Sequence, residues 1–351
     1  MARARPSPRR CVTRPLHCWG LLGARRARAC HSEHMRTIEV IRRHEQLALG
    51  RNDVQFHRDV RKGRLLRIAP GRYVHAAEWE ELSHIERHRV RVLEYSQRLH
   101  PDTVFSHFAA ASLWGIRLLG AWPDSIHVIA PSARGGRSEG HVVRHCTAVD
   151  ASGITTLDGM RLTTPAQTAV DLARTLPFAD AVVAMDSALG SRRRPSLTSE
   201  DAIASTIDGL AGRRGRARAV AVSAFATPFS DSPQESHSRV LIHTLGFPRP
   251  ELQRSFTLPN GLTAEVDFYW DDFKHAGECD GRSKYRDPEF LKGRRPEDVV
   301  IAEKNRENQL RRVVGQVSRW EPAELYTPQS FYDHLVRDGL PSTRPRPGRA
   351  G

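Results

Sequence analysis

The sequence predicts a multidomain chain of mixed α+β and α/β class, and three observations predict it. Residues 37–74 order as two short helices followed by two strand-like runs around a Pro-Gly turn. Residues 76–190 alternate helical and strand periodicities. From Ser232 the pattern reads helix, three strands, long helix, closing strand. The length, 351 residues, is enough for two or three domains and a sizeable core.

The first helix is expected over Thr37–Leu49, where Ile38, Ile41, Ala48 and Leu49 form an apolar stripe that Gly50 ends. Asn52 is placed to cap a second helix, Asp53–Lys62, with Asp53 favourable in its first turn and Gly63 as its stop. Leu65–Ile68 and Arg72–Val74 then read as two strands. Helix, helix, hairpin is the outline of a winged helix, assigned to residues 35–75. Arg51, Arg58, Arg61, Lys62, Arg64 and Arg67 crowd its second helix and wing, where such a unit meets DNA phosphates. A solvated basic face is the competing reading.

In the middle domain, 76–190, helices are expected over Trp79–Leu99, Phe105–Ile116, Pro165–Arg174 and Ala179–Leu189, and strands over Ser125–Ala130 and Val142–His145. His107, His127, His141 and His145 are scattered without metal-ligand spacing and read as packing or surface residues. Residues 191–231, with Arg192-Arg193-Arg194 and Arg213-Arg214, read as a basic connector holding one helix, Ser199–Leu210. The last domain, 232–326, opens with Ser232-Pro233-Gln234-Glu235, a capped helix start. Pro259-Asn260-Gly261 between apolar runs is a hairpin signal. A third strand over Lys274–Cys279, a helix over Pro296–Val314 and a strand over Gln316–Trp320 follow. Residues 327–351 form the C-terminal tail, expected to be disordered from about 341, where proline and arginine dominate.

At 39% hydrophobic and 27% charged the chain reads as globular, with no run long enough for a membrane helix. Its formal charge of +14 points to a polyanionic partner. The first 34 residues hold eight arginines against the single acid Glu33, and three of the five cysteines. They are expected to be a disordered basic extension, with Met35 the true initiator. An organelle transit peptide is the competing reading. With only Cys146 and Cys279 beyond it, a reducing, cytoplasmic compartment is favoured over a disulfide framework.

Chemistry concentrates in Ala264–Trp270 and Lys274–Gly281. If these strands pair, Asp267 and Glu278 stand side by side, and two carboxylates so close repel unless a divalent cation neutralises them. In a strongly basic chain that suggests metal-assisted cleavage of a nucleic-acid backbone. The bland readings are also physical. Glu235, three residues after Ser232, closes a capping box as readily as it binds metal. Asp280-Gly281 suits a turn, and Cys279 suits a small buried hydrophobe.

Ser232–Ser236 with Arg239, Val266-Asp267-Phe268, Glu278-Cys279-Asp280-Gly281 with Lys284-Tyr285, Ala302-Glu303-Lys304 with Arg306, and Val317–Trp320 together resemble the PD-(D/E)XK nuclease superfamily, in particular relatives of the very-short-patch-repair endonuclease. The resemblance covers about residues 230–326 and implies a restriction-endonuclease-like αβββαβ core. It implies Mg²⁺ (or Mn²⁺) on Asp267 and Glu278, with Glu235 through water or a second ion, activating a water for attack on a phosphodiester. The motif lysine is replaced by Asp280, so Lys284 and Lys304 are the expected substitutes, with Arg306 also able to reach the phosphate. Asp59–Gly63 through Tyr73, Ser106–Ala111, and Leu162–Pro165 to Val170–Ala173 resemble AbiEi-type antitoxin-regulators of toxin–antitoxin systems, common in actinobacteria. The expected function is a metal-dependent DNA endonuclease with a winged helix. The alternatives are a non-catalytic transcriptional regulator or antitoxin whose nuclease fold is a degenerate binding module, and an enzyme acting on RNA. A toxin or methylase partner is implied, and no membrane.

Overall fold

A computed structural model of the chain describes residues 38–50, 52–130, 138, 140–279 and 296–348, with backbone only for 296–304. Among the described residues no helix is long and apolar enough to cross a membrane. The chain divides into two compact units, one ending at Trp79 and one from Glu80 onward.

The first unit holds β1 (Ile41–Arg42), α1 (Arg43–Ala48), α2 (Asp53–Arg61), β2 (Leu65–Ala69), β3 (Arg72–His75) and the start of α3 (Ala76–Glu80). Its sheet has the order β1-β3-β2, all antiparallel. Asn52 caps α2 as expected, its side-chain oxygen accepting the Val54 N–H at 2.9 Å. The first helix is much shorter than the sequence predicts. Ile38, Val40 and Ile41 are buried in extended chain, and Ile41 pairs with Tyr73. A β-branched run gains more from a pleated edge than from a helix, so tertiary pairing overrides the helical stripe. Phe56 of α2 meets Tyr73 of β3 edge-on at 4.9 Å, which fixes the helix on the sheet.

The second unit opens with α4 (His84–Ser96), β4 (Val104–Phe105), α5 (His107–Trp114), β5 (Ile126–Ile129), β6 (Val142–His145), β7 (Ile154–Leu157) and β8 (Met160–Thr163). The five strands form one mixed sheet in the order β6-β5-β4-β8-β7. The helix expected over 79–99 is split, because Ser83 starts a new helix through a full capping box with Glu86. Next come α6 (Pro165–Thr175), α7 (Phe178–Leu189), α8 (Glu200–Asp208) and α9 (Arg216–Phe225). The stretch expected to be a connector is part of this core. Ile203 and Ile207 of α8 and Ala219 and Val222 of α9 are buried with Leu172, Val182 and Met185. The helix expected over Ser199–Leu210 is α8, and the arginine-rich flanks hid the second, α9.

The last elements are α10 (Pro233–Thr244), β9 (Glu251–Thr257), β10 (Thr263–Trp270), β11 (His275–Cys279), α11 (Pro296–Val314), β12 (Gln316–Trp320) and α12 (Pro328–Arg337). The sheet order is β12-β11-β10-β9, with β11 and β12 parallel and the rest antiparallel. This is the predicted element order. One face packs Leu241, Ile242, Phe268, Trp270, Trp320 and Phe331. The other packs Ala264, Val266, Tyr269, Leu310 and Val314. Helix α10 serves two cores, since Val240 joins the middle cluster and Leu241 the C-terminal one. An ion pair reinforces that junction: Arg239 lies 3.3 Å from Asp186 of α7, both nearly fully buried. The tail is ordered to residue 348, contrary to the composition. Leu340 is buried, the Thr343 N–H donates to Gly246 O at 2.9 Å, and Arg344 donates to Thr244 O at 2.7 Å. The tail thus satisfies carbonyls left open at the end of α10.

Candidate functional sites

The acidic patch sits where β10 changes face. Ala264 and Val266 point to the α11 side, whereas Phe268 and Trp270 point to the α10 side. Strict alternation would keep all four together, so the pleat shifts at Asp267. Opposite it, Gln253 of β9 has φ +53, a left-handed value. Phe268 pairs with Gly277, and continuing that register sets Asp267 against Glu278. The two acids thus lie on adjacent, paired strands. The Asp267 carboxylate accepts the Cys279 N–H at 3.0 Å.

Guanidinium groups neutralise Glu278. Its Oε1 accepts from Arg306 of α11 at 2.6 Å, and its Oε2 faces Arg319 at 2.7 Å. Glu278 and Arg319 are register partners on the parallel strands β11 and β12, so their side chains share a face. Arg319 also reaches Glu307 at 3.3 Å. Arg306, expected on nucleic acid, is turned inward to this cluster.

Glu235 is tied to the start of α10, where Ser232 caps the helix by accepting the Glu235 N–H. Ser232 Oγ donates to its Oε1 at 2.8 Å, the Asp231 N–H donates to its Oε2 at 2.8 Å, and Gln253 Nε2 donates to Oε2 at 2.9 Å. Burial pushes this carboxyl up, against those donors. Both oxygens are committed to holding the helix start. Glu235, Asp267 and Glu278 do not gather their ligand atoms into one group. Each of the three acids is instead held by hydrogen-bond or ion-pair partners of the protein. Asp280 and Lys284 lie outside the described residues, and Lys304 lies in α11 where only the backbone is described.

On the first unit, Arg58, Arg61, Lys62, Arg64 and Arg67 are all exposed. Arg64 is paired with Asp59, and Arg43 grips Asp53 at the start of α2 at 3.0 Å. Arg61, Lys62 and Arg67 make no ion pair among the described residues, so they present charge to solvent. Arg51 lies outside the described residues.

One cluster escaped the sequence reading. Three of the four histidines expected to be packing residues converge: the ligand atoms of His107, His127 and His145 lie within 4.8 Å of one another. It is the one such group of three among the described residues. Spacings of 20 and 18 residues match no local ligand motif, and only the pairing of β4, β5 and β6 unites them. Burial lowers all three pKa values, that of His127 to about 3.

Comparison with known proteins bears on the middle of the chain. Residues 105–222 match the model of the AbiEi antitoxin C-terminal domain family. Two uncharacterized proteins of Mycobacterium tuberculosis, from strains CDC 1551 / Oshkosh and ATCC 25618 / H37Rv, are each 32% identical over 154 residues. The match covers 44% of this chain and 54% of theirs, so the chain spans about half the length of these curated relatives.

Proposed function

We propose that this protein is a DNA-binding regulator of the antitoxin kind rather than a nuclease. The observation that carries the reading is the antitoxin-family match over residues 105–222, which takes in everything from the β4–α5 turn into α9. The helix-helix-hairpin arrangement of the first unit supports it, as a winged helix whose α2 enters a DNA groove. Arg58, Arg61, Lys62 and Arg67 would then meet phosphates. Residues 105–222 would meet a toxin partner.

The test is a mobility-shift titration of the full chain on a duplex covering the DNA upstream of its own gene, at several salt concentrations. Wild type is expected to bind with a steep salt dependence. Replacing Arg61, Lys62 and Arg67 by alanine should weaken binding and flatten the salt slope by about one for each phosphate no longer neutralised. Equal affinity and slope in both proteins would rule out this DNA surface.

The placing of Asp267 and Glu278 on the paired strands β10 and β11 favours a second reading, an endonuclease with Asp280, Lys284 and Lys304 completing the centre. Plasmid and RNA incubated with Mg²⁺ or Mn²⁺ test it. Cleavage by wild type and none by Asp267→Ala would restore the catalytic reading.

A further inference from the structure

We propose that His107, His127 and His145 form a divalent transition-metal site of the zinc class, open on one side to an arginine-lined pocket. Imidazole nitrogen is a preferred ligand for Zn²⁺, and three histidines with an open fourth position are a recurrent zinc arrangement.

The fold brings the rings together from three places. His127 lies on β5 and His145 ends β6, where parallel pairing sets His145 against Ile129 and so puts both imidazoles on one face. His127 Nδ1 and His145 Nε2 are 2.9 Å apart. His107 begins α5 with φ +48, a conformation a non-glycine residue rarely takes. Strain of this kind costs about 1–3 kcal/mol and concentrates at functional positions. Here it lays the His107 ring on that of His145, with centroids 3.7 Å apart.

The outer nitrogens are already engaged. His107 Nδ1 is 3.0 Å from Ser106 Oγ, and His127 Nε2 is 3.1 Å from Ser125 Oγ. With each hydroxyl accepting that N–H, His107 Nε2 and His127 Nδ1 are left as lone pairs directed inward. Hydrogen bonds of this sort orient metal-ligating histidines elsewhere.

Two nitrogens on a tetrahedral Zn²⁺ stand about 3.3–3.4 Å apart. Binding therefore opens the 2.9 Å contact slightly and turns the His107 ring out of its stack. The proton shared between His127 and His145 moves to an outer nitrogen of the same ring, so no net proton is released.

The open side is a pocket of about 510 Å³ lined by His107, His145, Thr147, Arg174, Arg214 and Arg218 among others, with no carboxylate in its wall. It supplies an entry path, and its guanidinium groups suit an anion in the fourth coordination position.

The test is titration of the chelator-stripped full chain with Zn²⁺ and, for its visible spectrum, Co²⁺. Wild type should bind one equivalent that gives tetrahedral Co²⁺ bands and raises the melting temperature. His127→Asn and His145→Gln should each lose that equivalent, with affinity falling at least about 100-fold, more than outer-sphere changes cost. Cys146→Ser, at an exposed neighbouring thiol, should retain it. Should the histidine variants not fold, histidine NMR on isotope-labelled wild type decides: three imidazoles shift together on metal addition. Wild type without tetrahedral bands, unchanged affinity in folded variants, or unshifted imidazole signals would each overturn the proposal.

Discussion

Replacing Glu278 by glutamine removes one charge and almost no volume, which makes it the sharpest probe of the C-terminal sheet. The Glu278 side chain is 8% exposed, whereas those of Arg306 and Arg319 are 31% and 23% exposed. Hydrogen bonds to charged groups contribute about 1.5–3 kcal/mol each, and Glu278 has two such partners. Both guanidinium groups regain water once released, and Arg319 keeps Glu307, so the sum is discounted. A loss of about 2–4 kcal/mol is expected, about 1 kcal/mol below the range of about 3–5 kcal/mol for breaking a fully buried pair. Urea unfolding followed by tryptophan fluorescence measures it, because Trp270 and Trp320 lie in this core. A double-mutant cycle with Arg319→Met should return a coupling above about 1 kcal/mol. A loss below about 0.5 kcal/mol would show that the cluster does not hold α11, β11 and β12 together, and would leave Glu278 free for another role.

Other consequences follow from single positions. A Cβ at Gly277 would lie 2.7 Å from Trp320 and 3.0 Å from Trp270, two rings fixed in the core. Gly277→Ala should therefore destabilise by about 1–3 kcal/mol, read in the same urea assay. Asp186→Ala strands Arg239 at the α7–α10 junction and should cost about 3–5 kcal/mol, lowering the thermal midpoint by several degrees. Burial lowers the His88 pKa from 6.5 to about 4, so its contribution to stability is complete above 6.5 and lost as pH falls towards 4. Between pH 7 and 4 wild type should lose about 3 kcal/mol more than His88→Gln in paired urea titrations. Comparison with the variant is needed because Asp171 and Asp186, raised to about 6 by burial, act in the opposite sense: their contribution is present at low pH and lost as pH rises through 6.

Local chemistry made much of the fold legible. Asn52, Thr164, Ser199 and Ser232 all stand at expected helix starts with their side chains accepting backbone N–H groups, as does Ser83, whose start the long stripe over 79–99 masked. The Asn260-Gly261 turn closes the β9–β10 hairpin, where the Leu258 N–H donates to Leu262 O at 2.7 Å. Misreadings arose where a segment's state depends on distant partners. Ile41–Arg42 is a strand because β3 lies beside it, and α9 packs inward because α6 and α7 present an apolar wall. The tail is held by carbonyls at the end of α10, about one hundred residues earlier.

The candidate sites divide along the same line. Residue order alone set the element sequence of the C-terminal sheet, the placing of Asp267 and Glu278 on neighbouring strands, and the basic crowding around α2, because turn chemistry and the two-residue strand period act over a few residues. What neutralises Glu278, what engages Glu235, and which histidines meet were decided only in three dimensions. Arg306 and Arg319 reach Glu278 from a helix and a neighbouring strand, and Gln253 reaches Glu235 from an edge strand. His107, His127 and His145 converge through sheet pairing that no local spacing encodes. A carboxylate's role depends on which charge lies within hydrogen-bond reach, and that distance belongs to the packed chain.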